Sequence, residues 1–252
     1  MAPRRNHSIS TRLYQSRVFT HFYERIAGRY SAELTWKGLT NDFLSSIPTG
    51  STILEIGAGP GLIALKVIEQ RPDLTVIVSD FSQEMLQLAK ENLKEHLECF
   101  VQGQPNVKMQ KHLEFVQANA MNLSQFQGRA INGIYSLGAI KHFPDPYKGL
   151  DQCVGILSPS GVLYFADFCA DGTYAGTQDI IKHVQLPSIL KFLMAPFLHL
   201  ANKREAPSGQ EVENWNCYLQ SRGKSRIEYS TGRTMFSLIF EGSTLASKIT
   251  PK

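Results

Sequence analysis

Two kinds of apolar pattern alternate along the middle of the chain. Short apolar runs of the sort that a sheet buries on both faces occur at Ile53-Leu54-Glu55-Ile56, Thr75-Val76-Ile77-Val78, His112 to Gln117, Ala130 to Leu137 and Val162 to Ala166. Between them lie stretches with helical spacing: Leu62 to Ile68, then Met85, Leu86, Leu88, Ala89 and Leu93, then Tyr147 to Leu157. Ser225 to Tyr229 and Thr234 to Glu241 read as two further strands around the turn Ser230-Thr231-Gly232-Arg233. Ahead of all this, Ser16 to Leu44 reads as helix, with Val18, Phe22, Ile26 and Tyr30 on one face. The alternation of strand and helix predicts an α/β protein.

The stretch with the most chemistry is Leu54-Glu55-Ile56-Gly57-Ala58-Gly59-Pro60-Gly61, where the first strand meets the first helix. Glycines there permit unusual backbone angles and let a ligand touch main chain. The helix opening offers free N–H groups and partial positive charge. A dinucleotide site would show G-x-G-x-x-G with a pyrophosphate on that helix end. Here the spacing is G-x-G-x-G, and Glu55 would repel a pyrophosphate. Asp80, at the end of the second strand, is placed to hold ribose hydroxyls. A cationic nucleoside with an amino-acid tail and no phosphate suits both carboxylates, and S-adenosylmethionine is such a molecule.

The pair L-E-I-G-A-G-P-G and V-S-D-F-S-Q-E-M-L resembles the cofactor motifs of the class I S-adenosylmethionine-dependent methyltransferases. The chain is most similar to the small-molecule, quinone-biosynthesis type. The resemblance implies a Rossmann-like, seven-stranded, mostly parallel sheet. It has helices on both faces, the last strand antiparallel, and an N-terminal helical lid. The implied division is a lid over 1–46, a cofactor-binding core over 47–167, an apolar helical insertion or substrate lid over 168–226, and final core strands over 227–246.

The implied cofactor residues are Tyr23 and Tyr30 of the lid, Glu55, Gly57, Ala58, Gly59, Gly61, Asp80, Phe81 and Met85, then Asn119, Ala120, Met121, Leu137 and Gly138. The two tyrosines would close over the cofactor's sulfonium, since ring faces attract cations; ordinary core aromatics are the equal alternative. Met85 could touch the adenine or be plain core. Asn119 stands where the family has an acidic residue, and its carbonyl oxygen can still accept from the adenine amino group. After the central strand, A-I-K-H-F-P-D-P resembles the family's A-L-H-H-F-P-D-P. That places His142 near methyl transfer, where it would orient the acceptor or take its proton; bracing the loop before Pro144 is the other reading. Asp167, at the end of the fifth strand, is a second candidate base or acceptor contact, with a helix N-cap as its alternative. Ser158-Pro159-Ser160-Gly161 reads as a tight turn and Glu98 to Lys111 as a long connection.

Charge changes this picture little. Lys and Arg total 26 against 22 Asp and Glu, so the net charge is +4. Much of it sits at Arg4, Arg5, Arg12 and Arg17, which a frayed terminus explains as readily as a nucleic-acid arm. No apolar stretch follows Arg4 and Arg5 as in a secretory signal. The run Leu186 to Leu200 is short for a membrane span and is broken by Pro187 and Pro196. Cys99, Cys153, Cys169 and Cys217 are scattered, which argues against structural zinc and for free thiols in a reducing cytoplasm. The expected partner is a small-molecule acceptor with an apolar portion, methylated on O, N or C. Nucleic acid is not favoured, and a homodimer is one use of the apolar 168–226 segment; a substrate lid or a helix pair packed on the sheet are the others. The rival functions are a tRNA or rRNA methyltransferase and a non-catalytic cofactor-binding scaffold.

Overall fold

The computed structural model describes residues 36–99, 112–182 and 188–242. The strands are β1 (Thr52–Ile56), β2 (Thr75–Asp80), β3 (Leu113–Gln117), β4 (Ile131–Leu137), β5 (Leu157–Phe168), β6 (Gly223–Tyr229) and β7 (Met235–Gly242). The helices are α1 (Leu62–Gln70), α2 (Gln83–Cys99), α3 (Pro146–Ile156), α4 (Tyr174–Lys182), α5 (Ser188–Glu205) and α6 (Gly209–Gln220). The strands form one sheet in the order β3-β2-β1-β4-β5-β7-β6. All neighbours are parallel except β7, which runs antiparallel to both β5 and β6. This is the Rossmann-like arrangement expected from the sequence.

Residues alternate across the sheet and build two apolar layers. Leu54, Ile56, Ile77, Ile134, Leu163 and Phe165 face one layer, closed by Leu150 and Cys153 of α3 and by Val212, Trp215 and Leu219 of α6. Ile53, Val76, Val78, Tyr135 and Tyr164 face the other, closed by α1, by α2 and by Leu39, Phe43, Leu44 and Ile47. These last residues belong to a helical segment that includes a wide turn over Leu39–Phe43 and a tight one over Leu44–Ser46. Phe43 packs on Tyr135 and Tyr164 at ring separations of 5.5 and 6.2 Å. Arg71 ties the segment down, donating to the carbonyls of Leu44 and Ile47 and to Asp73.

One expectation is corrected, and two fall partly outside the described residues. Only the last part of the helix expected over Ser16 to Leu44 is described, so Tyr23, Tyr30 and the four N-terminal arginines lie outside the described residues. Ser158 to Gly161 is not a free turn but a bulge within β5: Ile131 pairs with Leu157 and Gly133 with Val162. Pro159 has no N–H to give the ladder, which is why the strand is interrupted there. Among the described residues the segment 168–226 holds three helices, and α6 at its end packs into the core beside Phe236. The connection after α2 lies outside the described residues from 100 to 111.

Gly133 in β4 shows how tightly the helical segment is seated. A side chain there would meet Phe43 at 2.6 Å and Ile47 at 2.7 Å. Gly133→Val is expected to cost about 1–3 kcal/mol by overpacking, read as a lower urea midpoint. An unchanged midpoint would mean that Phe43 is not fixed against the sheet.

Candidate active site

The strand order reverses between β1 and β4, and in open α/β sheets ligands bind outside the carboxyl ends of the strands at that switch point. The turn after β1 is left-handed at Gly57, Gly59 and Gly61, with φ of 72°, 54° and 77°. Non-glycine residues rarely adopt such angles. The three glycines do different work. A Cβ on Gly57 would lie 2.5 Å from the Cβ of Ala139, so this glycine lets the turn touch the loop after β4. A Cβ on Gly61 would strike Leu93 and Ala89 of α2, so Gly61 serves helix packing. Gly59 has open space where its Cβ would be, as does Gly138 at the end of β4 (φ 75°). Both lie at the carboxyl edge of the sheet, where β1 and β4 give way to loops.

Asp80 holds this turn in place. One carboxylate oxygen accepts from the N–H of Gly59 at 2.8 Å, the other from the N–H of Ser82 at 2.8 Å. Burial raises its pKa, opposed by the N–H groups of Ser82, Gly59 and Phe81. Ala58 donates to the carbonyl of Ser79. Two buried serines complete the seam: Ser79 donates to the carbonyl of Glu55 at 2.6 Å and Ser136 to that of Ile56 at 2.8 Å. They satisfy carbonyls where β1 leaves the sheet, and their signal in the sequence is a hydroxyl at the end of an otherwise apolar strand.

Glu55 is 3% exposed, on the same sheet face as Ile53, Val78 and Tyr135. Burial pushes its carboxyl up to about 8, the neighbouring Tyr135 hydroxyl opposes this, and the charge of Asp80 adds to it. The oxygen Oε2 of Glu55 and the hydroxyl of Tyr135 are both buried without a well-formed hydrogen-bond partner. The sequence led us to expect an ionised Glu55; burial instead favours the neutral acid near pH 7, and a cation beside it would restore the anion.

The other expected residues fall around this centre. Phe81 is 51% exposed beside Asp80, and Ala58 and Ala120 are buried. Met85 is buried, and its N–H donates to the Ser82 hydroxyl that starts α2. Asn119 is exposed, and its side-chain oxygen accepts from the N–H of Met121 at 2.9 Å, which leaves one lone pair for a ligand. Met121 packs with Phe143 against Gly149. Leu137 and Gly138 end β4, and the Gly138 N–H donates to Ala166.

The loop after β4 makes a single tight turn, Ile140–His142, with His142 half-buried at its end. The Pro144-Asp145-Pro146 part of the motif starts α3: Asp145 accepts from the N–H of Lys148, and Pro146 fills the first turn. Asp167 is not a helix cap. Its side chain has no solvent exposure and binds Lys141, accepting from the ammonium at 3.1 Å and from the main-chain N–H at 3.3 Å. It also accepts from the N–H of Phe168. The Lys141 ammonium lies 5.3 Å from the centre of the Phe168 ring. Sequence reasoning passed over Lys141, although it stands where the family motif has a histidine.

A family profile described as a methyltransferase domain matches residues 54–165. The demethylmenaquinone methyltransferase of Clavibacter sepedonicus is 22% identical over 221 residues, covering 82% of each chain. The release factor glutamine methyltransferase of Staphylococcus aureus is 29% identical over 94 residues, but the match spans only 29% of that protein and 37% of this chain. The solved structure of the plantazolicin methyltransferase BpumL, in complex with a triazolic desmethylPZN analog and SAH, superposes with a TM-score of 0.63 at 14% identity, covering 92% of this chain and 98% of that one.

S-adenosylmethionine fits the residues present: the buried Glu55 carboxyl at the end of β1, and two glycines with open space at their Cβ positions where β1 and β4 end. Two outcomes follow. Glu55→Gln removes a group whose folded form holds its proton up to about pH 8 rather than 4.5. Wild-type stability is therefore lost as pH rises through that window. The cofactor-free variant should match wild type near pH 4.5 and gain about 4 °C or more in Tm near pH 8; a gain independent of pH would show that Glu55 does not titrate there. Asp80→Ala should weaken S-adenosylhomocysteine binding about tenfold or more, since a hydrogen bond to a charged group is worth roughly 1.5–3 kcal/mol. Unchanged affinity by calorimetry would remove Asp80 from the site.

Proposed function

We propose that the chain, whose residues 54–165 match a methyltransferase-domain profile, is a class I S-adenosylmethionine-dependent methyltransferase that acts on a small acceptor with an apolar portion. The observation that carries this reading is the arrangement at the switch point. Gly59 and Gly138 with open space at their Cβ positions, the buried Glu55 carboxyl and the turn-holding Asp80 all lie at the carboxyl ends of β1, β2 and β4. When bound, the cofactor supplies an electrophilic methyl group on a positively charged sulfur.

The chain's own residues then have separable tasks. Asp80, oriented by Gly59 and Ser82, offers its carboxylate to ribose hydroxyls. Glu55 becomes an anion when a cation approaches, because an opposite charge favours the ionised form. Phe81 presents an exposed ring at the edge of the nucleoside site. On the acceptor side, His142 ends the loop that touches the glycine turn and takes the proton of a hydroxyl, amine or activated carbon. Asp167 is a positioning residue: fully buried, it fixes the Lys141 ammonium next to His142 in the chain. A fixed cation there lowers the pKa of an acidic acceptor group and holds it near the reacting methyl. Alignment of the two reactants supplies most of the rate, on the order of 7–11 kcal/mol in model systems.

The acceptor class rests on two supports. Ser136-Leu137-Gly138-Ala139 stands at the end of β4 where glutamine- and base-directed enzymes carry an N-P-P-Y-type sequence, which disfavours an amide or exocyclic amine. The relative matched over most of its length is named for a quinone precursor.

His142→Ala should lower turnover about a hundredfold, the lower end for a general base, with S-adenosylhomocysteine affinity unchanged. Equal turnover would make His142 structural. The reading itself is tested by incubating the chain with methyl-labelled cofactor and cell extract, followed by mass spectrometry of the labelled product. A labelled small molecule is expected; labelled RNA, or cofactor binding with no acceptor-dependent S-adenosylhomocysteine, would contradict it.

A further inference from the structure

We propose that the outward face of α5 is a docking surface for an anionic lipid bilayer. A helix on a globular protein turns its apolar side inward; α5 does the reverse. Ile189, Phe192, Leu193, Phe197 and Leu200 are 72%, 77%, 60%, 76% and 49% exposed. At 100° per residue they fall within one arc, which also contains exposed Pro196. The inward side is mixed: Ala195 and Asn202 are buried, Met194 and Leu198 are half-buried, and His199 bonds Thr177 of α4 at 3.2 Å and packs on Tyr174.

The occupant is chosen by charge and area. The same outward arc continues into exposed Lys203 and Arg204, and from Ser188 to Arg204 the helix has no carboxylate. Glu205 falls about 100° further round, away from the arc. An apolar stripe ending in cations suits the boundary between acyl chains and anionic headgroups, where such a helix lies flat. The stripe offers on the order of 600 Å², below the roughly 800 Å² per partner that a stable dimer buries. No helix among the described residues is long and apolar enough to cross a membrane, so α5 would rest on the surface. It is also near the catalytic edge: the carbonyl of Pro207, just after α5, accepts from the N–H of Ala170, just after β5. The proposal does not depend on the acceptor assigned above, although an apolar acceptor could reach the site from such a surface.

Flotation of the full chain with vesicles tests it. Wild type should float with phosphatidylcholine vesicles containing about one-third phosphatidylglycerol, and less with phosphatidylcholine alone. Phe192→Ser with Phe197→Ser should reduce the bound fraction about tenfold or more. Lys203→Gln with Arg204→Gln should reduce only binding to the anionic vesicles, together with its salt sensitivity. All variants should keep the wild-type Tm and S-adenosylhomocysteine affinity, because the altered side chains are exposed. Failure of wild type to float would overturn the proposal, as would full binding by the phenylalanine variant. A dimer in sedimentation that the phenylalanine variant dissolves, with no vesicle binding, would assign the face to a second copy instead.

Discussion

The structure depends on one hydrogen-bonded seam, the clasp of Asp80 on the N–H groups of Gly59 and Ser82. A left-handed turn of three glycines costs conformational entropy and has little side-chain packing of its own. The carboxylate at the end of β2 fixes it from one side, and Ala139, in contact with the position of Gly57, confines it from the other. Ser79 and Ser136 satisfy the last carbonyls of β1, so the chain can leave the sheet without a buried unpaired group. With that edge fixed, Gly59 and Gly138 sit at the carboxyl edge of the sheet with open space at their Cβ positions.

Electrostatics adds a second constraint. Glu55 sits in an apolar layer beside the Tyr135 hydroxyl, its carboxyl raised to about 8 by burial and by the charge of Asp80. Two carboxyl groups in one partly dry site cannot easily both ionise. A cationic ligand relieves that conflict, whereas a pyrophosphate would deepen it. This is the physical reason that the site suits a phosphate-free nucleoside sulfonium.

The parallel sheet was visible in the sequence because buried strands are continuous apolar runs and the glycine turn has a specific spacing. Asp80 was visible for the same reason: its distance from the glycines is set by one helix and one strand. Other features were hidden. Lys141 could be placed after β4, but its partner Asp167 lies 26 residues on, and only the β4–β5 pairing brings them together. The burial of Glu55 depends on Tyr135, which becomes its cross-strand partner only in the folded sheet. The proline-interrupted strand at Ser158 to Gly161 looked like a turn because local residue preferences do not report a bulge. In α5 the apolar residues were plain in the sequence, yet periodicity does not say whether an apolar face turns inward or outward.

The most direct measurement is a crystal structure of the chain soaked with S-adenosylmethionine. The account predicts the ribose hydroxyls on Asp80, the ligand's main-chain contacts at Gly59 and Gly138, and its cationic end toward Glu55. Density for the nucleoside elsewhere, with both carboxyl groups remote from it, would contradict the account.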